Sequence, residues 1–154
     1  MKFKFRIWDD ERKEMCNNPQ FDYNTEGYID NVYHPDGRQI EKFEVMLFIE
    51  LNDINGKEIY EKDIVKFGLW CNPKNSQYDM QTGIVEFKYG IFGIEYYSSW
   101  SEQEKFIPLS NFYYEKDFHY VPNIGEVYDR SNIPENDLEV IGNIYENPDK
   151  EIIL

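Results

Sequence analysis

Polar and apolar residues alternate from the start of the chain. In Lys2-Phe3-Lys4-Phe5-Arg6-Ile7-Trp8, residues Phe3, Phe5 and Ile7 fall on one face, which predicts a strand. Asp9-Asp10-Glu11-Arg12-Lys13 reads as a polar turn, and Glu14-Met15 begins a short return strand. Residues 17–38 are rich in Asn, Asp, Gly, Pro and Tyr, and predict an irregular connection with brief extended pieces. The nearly continuous apolar run of residues 41–51 predicts a strand buried on both faces. Asn55-Gly56 then supplies a type I′ hairpin signal, followed by Ile59-Tyr60, a second turn at Glu61-Lys62-Asp63, and a strand at Ile64-Val65-Lys66-Phe67. Residues 68–82 read as a polar loop. Gly83-Ile84-Val85-Glu86-Phe87-Lys88, a turn at Tyr89-Gly90, and Ile91–Tyr97 form a second hairpin. Ser98–Gln103 offers helix-capping residues and predicts one short helical turn, ended by Pro108-Leu109. The last strand spans Leu138–Tyr145, with Gly142 marking a bulge or the close approach of another backbone. Short strands about ten residues apart, joined by Gly-containing turns, describe a small barrel or sandwich.

Composition supports a β fold. The 154 residues suit one compact unit and include 13 Tyr, 11 Phe and 3 Trp, but no alanine. Flat rings pack well on pleated surfaces, and the absence of the best helix former argues against long helices. Charge then narrows the partners. The net charge is −14, and residues 81–154 carry 14 acidic against 5 basic side chains. Such a field repels phosphate backbones and anionic lipid, so direct nucleic-acid binding and membrane docking are not expected. Cys16 and Cys71 lack CxxC spacing, Met1 leads into a strand pattern, and no apolar run reaches membrane-span length. The expected compartment is the cytoplasm, with both thiols reduced.

Four segments, in order, resemble the YopX-like family of phage and prophage proteins. They are Phe3–Asp9, Asp53–Val65, Gly83–Phe87 and Glu139–Pro148. The chain departs from that pattern twice. Lys62 stands where the family usually has glycine, and Ile49-Glu50-Leu51 stands where it tends to have Thr-Gly-Leu. The resemblance implies an SH3-like small β-barrel, placed at residues 51–154, with an N-terminal α+β portion at residues 1–50. It also implies a phage accessory protein in the cytoplasm of a bacterial host, and supplies no catalytic residues. The matching residues suit a framework: Asp63 can accept backbone donors at a strand entry, and Ile64, Val65, Ile84, Val85 and Phe87 are expected to fill the barrel interior.

Chemical motifs are sparse. His34 and His119 lie in no catalytic signature and read as surface or partly packed residues, and no His or Cys pair has metal-ligand spacing. Asp9-Asp10-Glu11 and Asp53 with Asn55 resemble fragments of calcium loops, but the second has Ile64 at the closing position. Phosphate-binding glycine motifs are absent. The expectation is therefore no catalytic residue, cofactor or metal. Aromatics crowd one region, and Tyr96, Tyr97, Trp100, Tyr113 and Tyr114 are the candidate partner-binding residues. The expected function is a non-enzymatic protein-interaction module that binds a host or phage protein, with homo-oligomerisation also open. The alternatives are an acidic decoy occupying the basic groove of a nucleic-acid-binding protein, and an enzyme with an unrecognised site.

Overall fold

The computed structural model describes residues 4–72, 77–98, 101–113, 119–120, 127–128 and 138–149. The fold is mainly β, built of curled antiparallel sheets. The strands are β1 (Phe5–Asp9), β2 (Glu14–Cys16), β3 (Gln20–Tyr23), β4 (Ile29–Tyr33), β5 (Gln39–Ile40), β6 (Phe43–Asn52) and β7 (Glu58–Tyr60). They continue with β8 (Asp63–Asn72), β9 (Gln77–Lys88), β10 (Ile91–Ser98), β11 (Gln103–Pro108), β12 (His119–Tyr120), β13 (Val127–Tyr128) and β14 (Glu139–Asn143). One sheet has the order β2-β1-β6-β7, a second β11-β10-β9-β8-β14, and a third β3-β4-β5, while β12 pairs with β13.

Several sequence expectations need correction. Residues 17–38 form an ordered part of a three-stranded meander, and residues 4–50 contain no α-helix, so the α element expected there is replaced by strands. The supposed loop at 68–82 is mostly a long β8–β9 ladder, with Gly68 opposite Met80 and Leu69 opposite Asp79; residues 73–76 lie outside the described residues. The helical turn sits later than expected. Glu102 turns the chain with positive φ, β11 starts at Gln103, and a single 3-10 turn follows at Leu109–Phe112. Strand β6 buries only Met46 fully, leaving Phe43 and Val45 exposed. The expected 50/51 boundary falls inside β6.

Three connections share one turn design. Asn24–Tyr28, His34–Arg38 and Asp53–Lys57 each place glycine fourth, with φ of +85°, +87° and +79°. In each, the glycine N–H donates to the first residue's carbonyl, and the first residue's N–H donates to the fifth residue's carbonyl. Only Gly56 takes positive φ in the Asn55-Gly56 turn, so it is a hairpin but not the expected type I′ pair. The Asp53 carboxylate explains this form: Oδ1 accepts the N–H groups of Asn55 and Lys57, while Oδ2 accepts the N–H of Val140 and ties the turn to β14. The type I′ signature appears instead at Tyr89-Gly90, where both φ values are positive, 56° and 82°.

The main core packs against the five-stranded sheet and takes in Ile59 of β7 and Leu109 and Phe112 of the 3-10 turn. Ile59, Val65, Phe67, Val85, Ile94, Leu109, Phe112, Leu138 and Val140 form it. A smaller core, Ile7, Cys16, Val32 and Ile40, joins the first sheet to the three-stranded meander. Val65 and Val85 fill the interior as expected, and Ile64 and Ile84 are also buried, but Phe87, on the same face as Val85, is half open to solvent near the end of its strand. The register shifts between Val140 and Gly142, which agrees with the first of the two readings of Gly142.

Both departures from the YopX-like pattern sit at unusual backbone. Glu50 has φ 61° and Lys62 has φ 68°, a region where a side chain costs about 1–2 kcal/mol and glycine costs little. Glu50→Gly is therefore expected to stabilise the fold by about 1 kcal/mol. Lys62→Gly should gain less, because it also removes a half-buried ion pair to Glu86. Urea midpoints of both variants check this; a loss of stability in Glu50→Gly would contradict it.

Candidate functional site

Among the described residues, exposed large apolar side chains gather at two hairpins, Tyr23, Tyr28 and Ile29 around the β3–β4 turn and Phe87, Tyr89 and Ile91 around the β9–β10 turn. Lys88 pairs with Ile91 across the two-residue turn, and Phe92 pairs with Phe87. Phe87 is 53% exposed, Ile91 45%, and Tyr89 88%, the highest value among the exposed large apolar side chains. The Phe87 and Phe92 rings lie 4.9 Å apart, so one aromatic pair continues the core face out to the hairpin tip. Tyr89 meets the edge of Phe106 at 5.7 Å on the other side. Phe106 in turn lies over Gly93, where a Cβ would approach its ring to 2.3 Å. Glycine there lets the ring lie flat and support Tyr89. Lys88–Glu95 and Lys62–Glu86 ion pairs flank this apolar tip.

Tyr89 is costly where it stands. The first residue of a type I′ turn favours Asn, Asp or Gly, since other side chains strain at positive φ. A strained residue this exposed recovers little from packing, the edge contact with Phe106 being its one ring partner described.

The aromatic residues expected to bind a partner are placed differently. Tyr96 is half-buried and meets Phe67 edge-on at 5.4 Å, packing against the main core. Tyr113 also packs on that core, and its hydroxyl donates to the Asn52 carbonyl at 2.7 Å. Tyr97 is half-buried on the opposite face of β10 from Tyr96. Trp100 and Tyr114, and the side chains of Cys71 and His119, lie outside the described residues.

Two buried polar groups join the parts of the molecule. At the junction of the first sheet and β8, the Arg6 guanidinium donates to Asp63 and lies 4.4 Å from the centre of the Tyr60 ring, with both members of the ion pair buried. Asp63 also accepts the Tyr60 N–H at 2.8 Å, the strand-entry role expected of it. Burial pushes the Asp63 carboxyl up to about 6, against the opposing pull of Arg6 and that N–H.

The second group was not legible as a cluster. Asp9 and Glu14 are cross-strand partners on β1 and β2, and His34 reaches them from the β4–β5 turn. His34 is buried, contrary to the surface or partly packed position expected. Its Nε2 lies 3.0 Å from Asp9 Oδ2 and 3.3 Å from Glu14 Oε1. Burial would raise the Asp9 carboxyl, but hydrogen bonds from the Arg12 N–H, the Arg12 guanidinium and His34 hold it well below the ordinary range. Arg38 donates to Glu14 at 2.6 Å. The signal that would have found the pair is the β1–β2 register; His34, twenty residues further on, is brought in only by the meander.

This architecture, an antiparallel mainly-β framework with an apolar hairpin tip, defines the class of protein. The chain belongs to the YopX protein family, whose profile matches residues 4–135. Among solved structures, protein EF1440 from Enterococcus faecalis is similar at 20% identity, with 97% of each chain covered and a TM-score of 0.46. Protein yopX from Bacillus subtilis is similar at 16% identity, with 94% of each chain covered and a TM-score of 0.48. No curated protein matches the chain. Among the described residues, no helix is long and apolar enough to cross a membrane.

Proposed function

We propose that the protein is a non-enzymatic, phage-encoded interaction module that binds a host or phage protein in the bacterial cytoplasm through the tip of the β9–β10 hairpin. The observation that carries this reading is Tyr89, held at positive φ and 88% exposed between exposed Phe87 and Ile91. Aromatic and apolar anchors of this kind supply most of the energy of protein interfaces, within a polar rim. In this reading the five-stranded sheet is an SH3-like barrel that presents the hairpin, a view supported by the family resemblance and by the core cluster packed against that sheet.

A second reading, the acidic decoy, draws support from the net charge of −14. The two differ in salt dependence. Contacts made by apolar anchors persist as salt rises, whereas a decoy complex weakens steeply once screening shortens the electrostatic range to about 10 Å.

The test is capture from host lysate at low and high salt, comparing the natural protein with Phe87→Ser/Tyr89→Asn/Ile91→Thr. The expected result is a partner retained at high salt by the natural protein and lost by the variant, with both proteins folded. A partner retained equally by the variant would overturn the hairpin assignment. One released by salt from both would favour the decoy.

A further inference from the structure

We propose that Asp9, Glu14 and His34 form a binding site for a divalent transition-metal ion, separate from the hairpin tip. One imidazole nitrogen and two carboxylate oxygens, each from a different structural element, converge with all three atoms within 4.8 Å of one another. Donors bound at about 2.1 Å to a common ion lie about 3.0–3.4 Å apart in tetrahedral or octahedral geometry. The His34 Nε2 separations from Asp9 Oδ2 and Glu14 Oε1, 3.0 and 3.3 Å, already match those edges.

The side chains are also held in place as ligands need to be. Asp9 Oδ1 accepts the N–H groups of Glu11 and Arg12, both at 3.0 Å, which fixes the carboxylate and leaves Oδ2 directed at His34. His34 is 4% exposed and is held at the first position of its turn by two backbone hydrogen bonds. Such fixed orientation lowers the cost of assembling a site.

Nε2 faces carboxylate oxygens on both sides. To bind a metal through Nε2 the ring must carry its hydrogen on Nδ1. Arg12 Nη1 contacts Asp9 Oδ2 at 2.7 Å and Arg38 Nη1 contacts Glu14 Oε1 at 2.6 Å. These two cations neutralise the carboxylates and compete with the ion. Both guanidinium-bearing side chains are exposed enough to withdraw into solvent, and Arg38 keeps a second carboxylate partner in Asp36.

The mixed donor set favours zinc, manganese or related ions over magnesium or calcium, which prefer oxygen alone. Three protein ligands leave coordination positions open to water or to another molecule.

The test is calorimetric titration of Zn2+ into the tag-free full chain at neutral pH, with Mg2+ as control. The expected result is saturable one-to-one zinc binding and far weaker magnesium binding. His34→Gln and Glu14→Gln should each weaken zinc by roughly tenfold or more. Glu14 is half-exposed, so its variant keeps the test valid if His34→Gln fails to fold. Arg38→Gln should bind zinc more tightly, because a competitor has been removed; a purely structural ion-pair cluster gives no such gain. Absence of saturable zinc binding, unchanged affinity in Glu14→Gln, or weaker binding in Arg38→Gln overturns the proposal.

Discussion

Arg6→Met will destabilise the fold by about 3–5 kcal/mol at neutral pH, the scale seen when one member of a buried ion pair is removed. The cause is what remains. Asp63 is fully buried, and without Arg6 its carboxylate keeps only the Tyr60 N–H among the partners it has now. Methionine retains much of the arginine's volume against Met46 and Tyr60, so the loss reports charge more than cavity.

The same pair fixes a pH dependence. The folded-state carboxyl of Asp63 titrates near 6, above its ordinary 3.8, because burial outweighs the attraction of Arg6. The folded state therefore holds this proton more tightly than the unfolded chain. Its contribution to stability is fully present below the ordinary value and is lost as pH rises toward 6. Asp63→Asn should remove that slope. In Arg6→Met the opposing pull of the guanidinium is gone, so the Asp63 carboxyl moves up further and the penalty shrinks in mildly acidic solution. Chemical denaturation across this range checks both statements. An Arg6→Met penalty that is the same at acid and neutral pH would contradict them.

Gly83→Ala is the second large effect, expected to cost about 1–3 kcal/mol through overpacking. A Cβ at Gly83 would lie 2.5 Å from the Glu95 carbonyl oxygen, 2.5 Å from Ile94 Cγ2 and 3.0 Å from Tyr96 Cβ. The carbonyl and the Cβ cannot swing aside as a flexible side-chain end could, so β9 and β10 must separate at the core. Gly83 has no positive φ, so its role is close approach between strands and not turn geometry. A thermal melt of Gly83→Ala beside Gly56→Ala separates the two: the second has open space around the added Cβ and pays only for its φ of +79°. Equal melting of Gly83→Ala and the natural protein would show that the strands can part freely.

The sequence pattern revealed those parts of the fold that depend on near neighbours. The β1–β2 hairpin, the Asp53–Lys57 connection and the bulge at Gly142 all follow from short-range signals. Failures came where distant pairing decides. The polar residues of 68–82 look like a loop until β8 and β9 are seen to pair along them. The apolar run of β6 says that a strand forms but not how many of its faces are covered, and Phe43 and Val45 remain open. Clustering along the chain suggested one aromatic face, yet Tyr96 and Tyr97 point to opposite sides of β10. In the sequence Tyr89 reads only as a turn residue, yet its oddity is visible there: tyrosine before glycine occupies a position where asparagine fits better. Asp9, Glu14 and His34 leave no local mark, because the segment that folds into the meander uniting the third with the first two has an irregular sequence pattern.

The most direct test of the account is Tyr89→Asn, with stability and partner capture measured on the same preparation. Asparagine suits the left-handed first position of the turn, so the melting temperature should rise, by an amount corresponding to about 1 kcal/mol. Retention of the partner should fall at the same time. A more stable protein that no longer holds its partner is the predicted result. A variant that gains stability and binds as well as the natural protein would show that Tyr89 is an ordinary strained turn residue, and that the β9–β10 tip is not the binding surface.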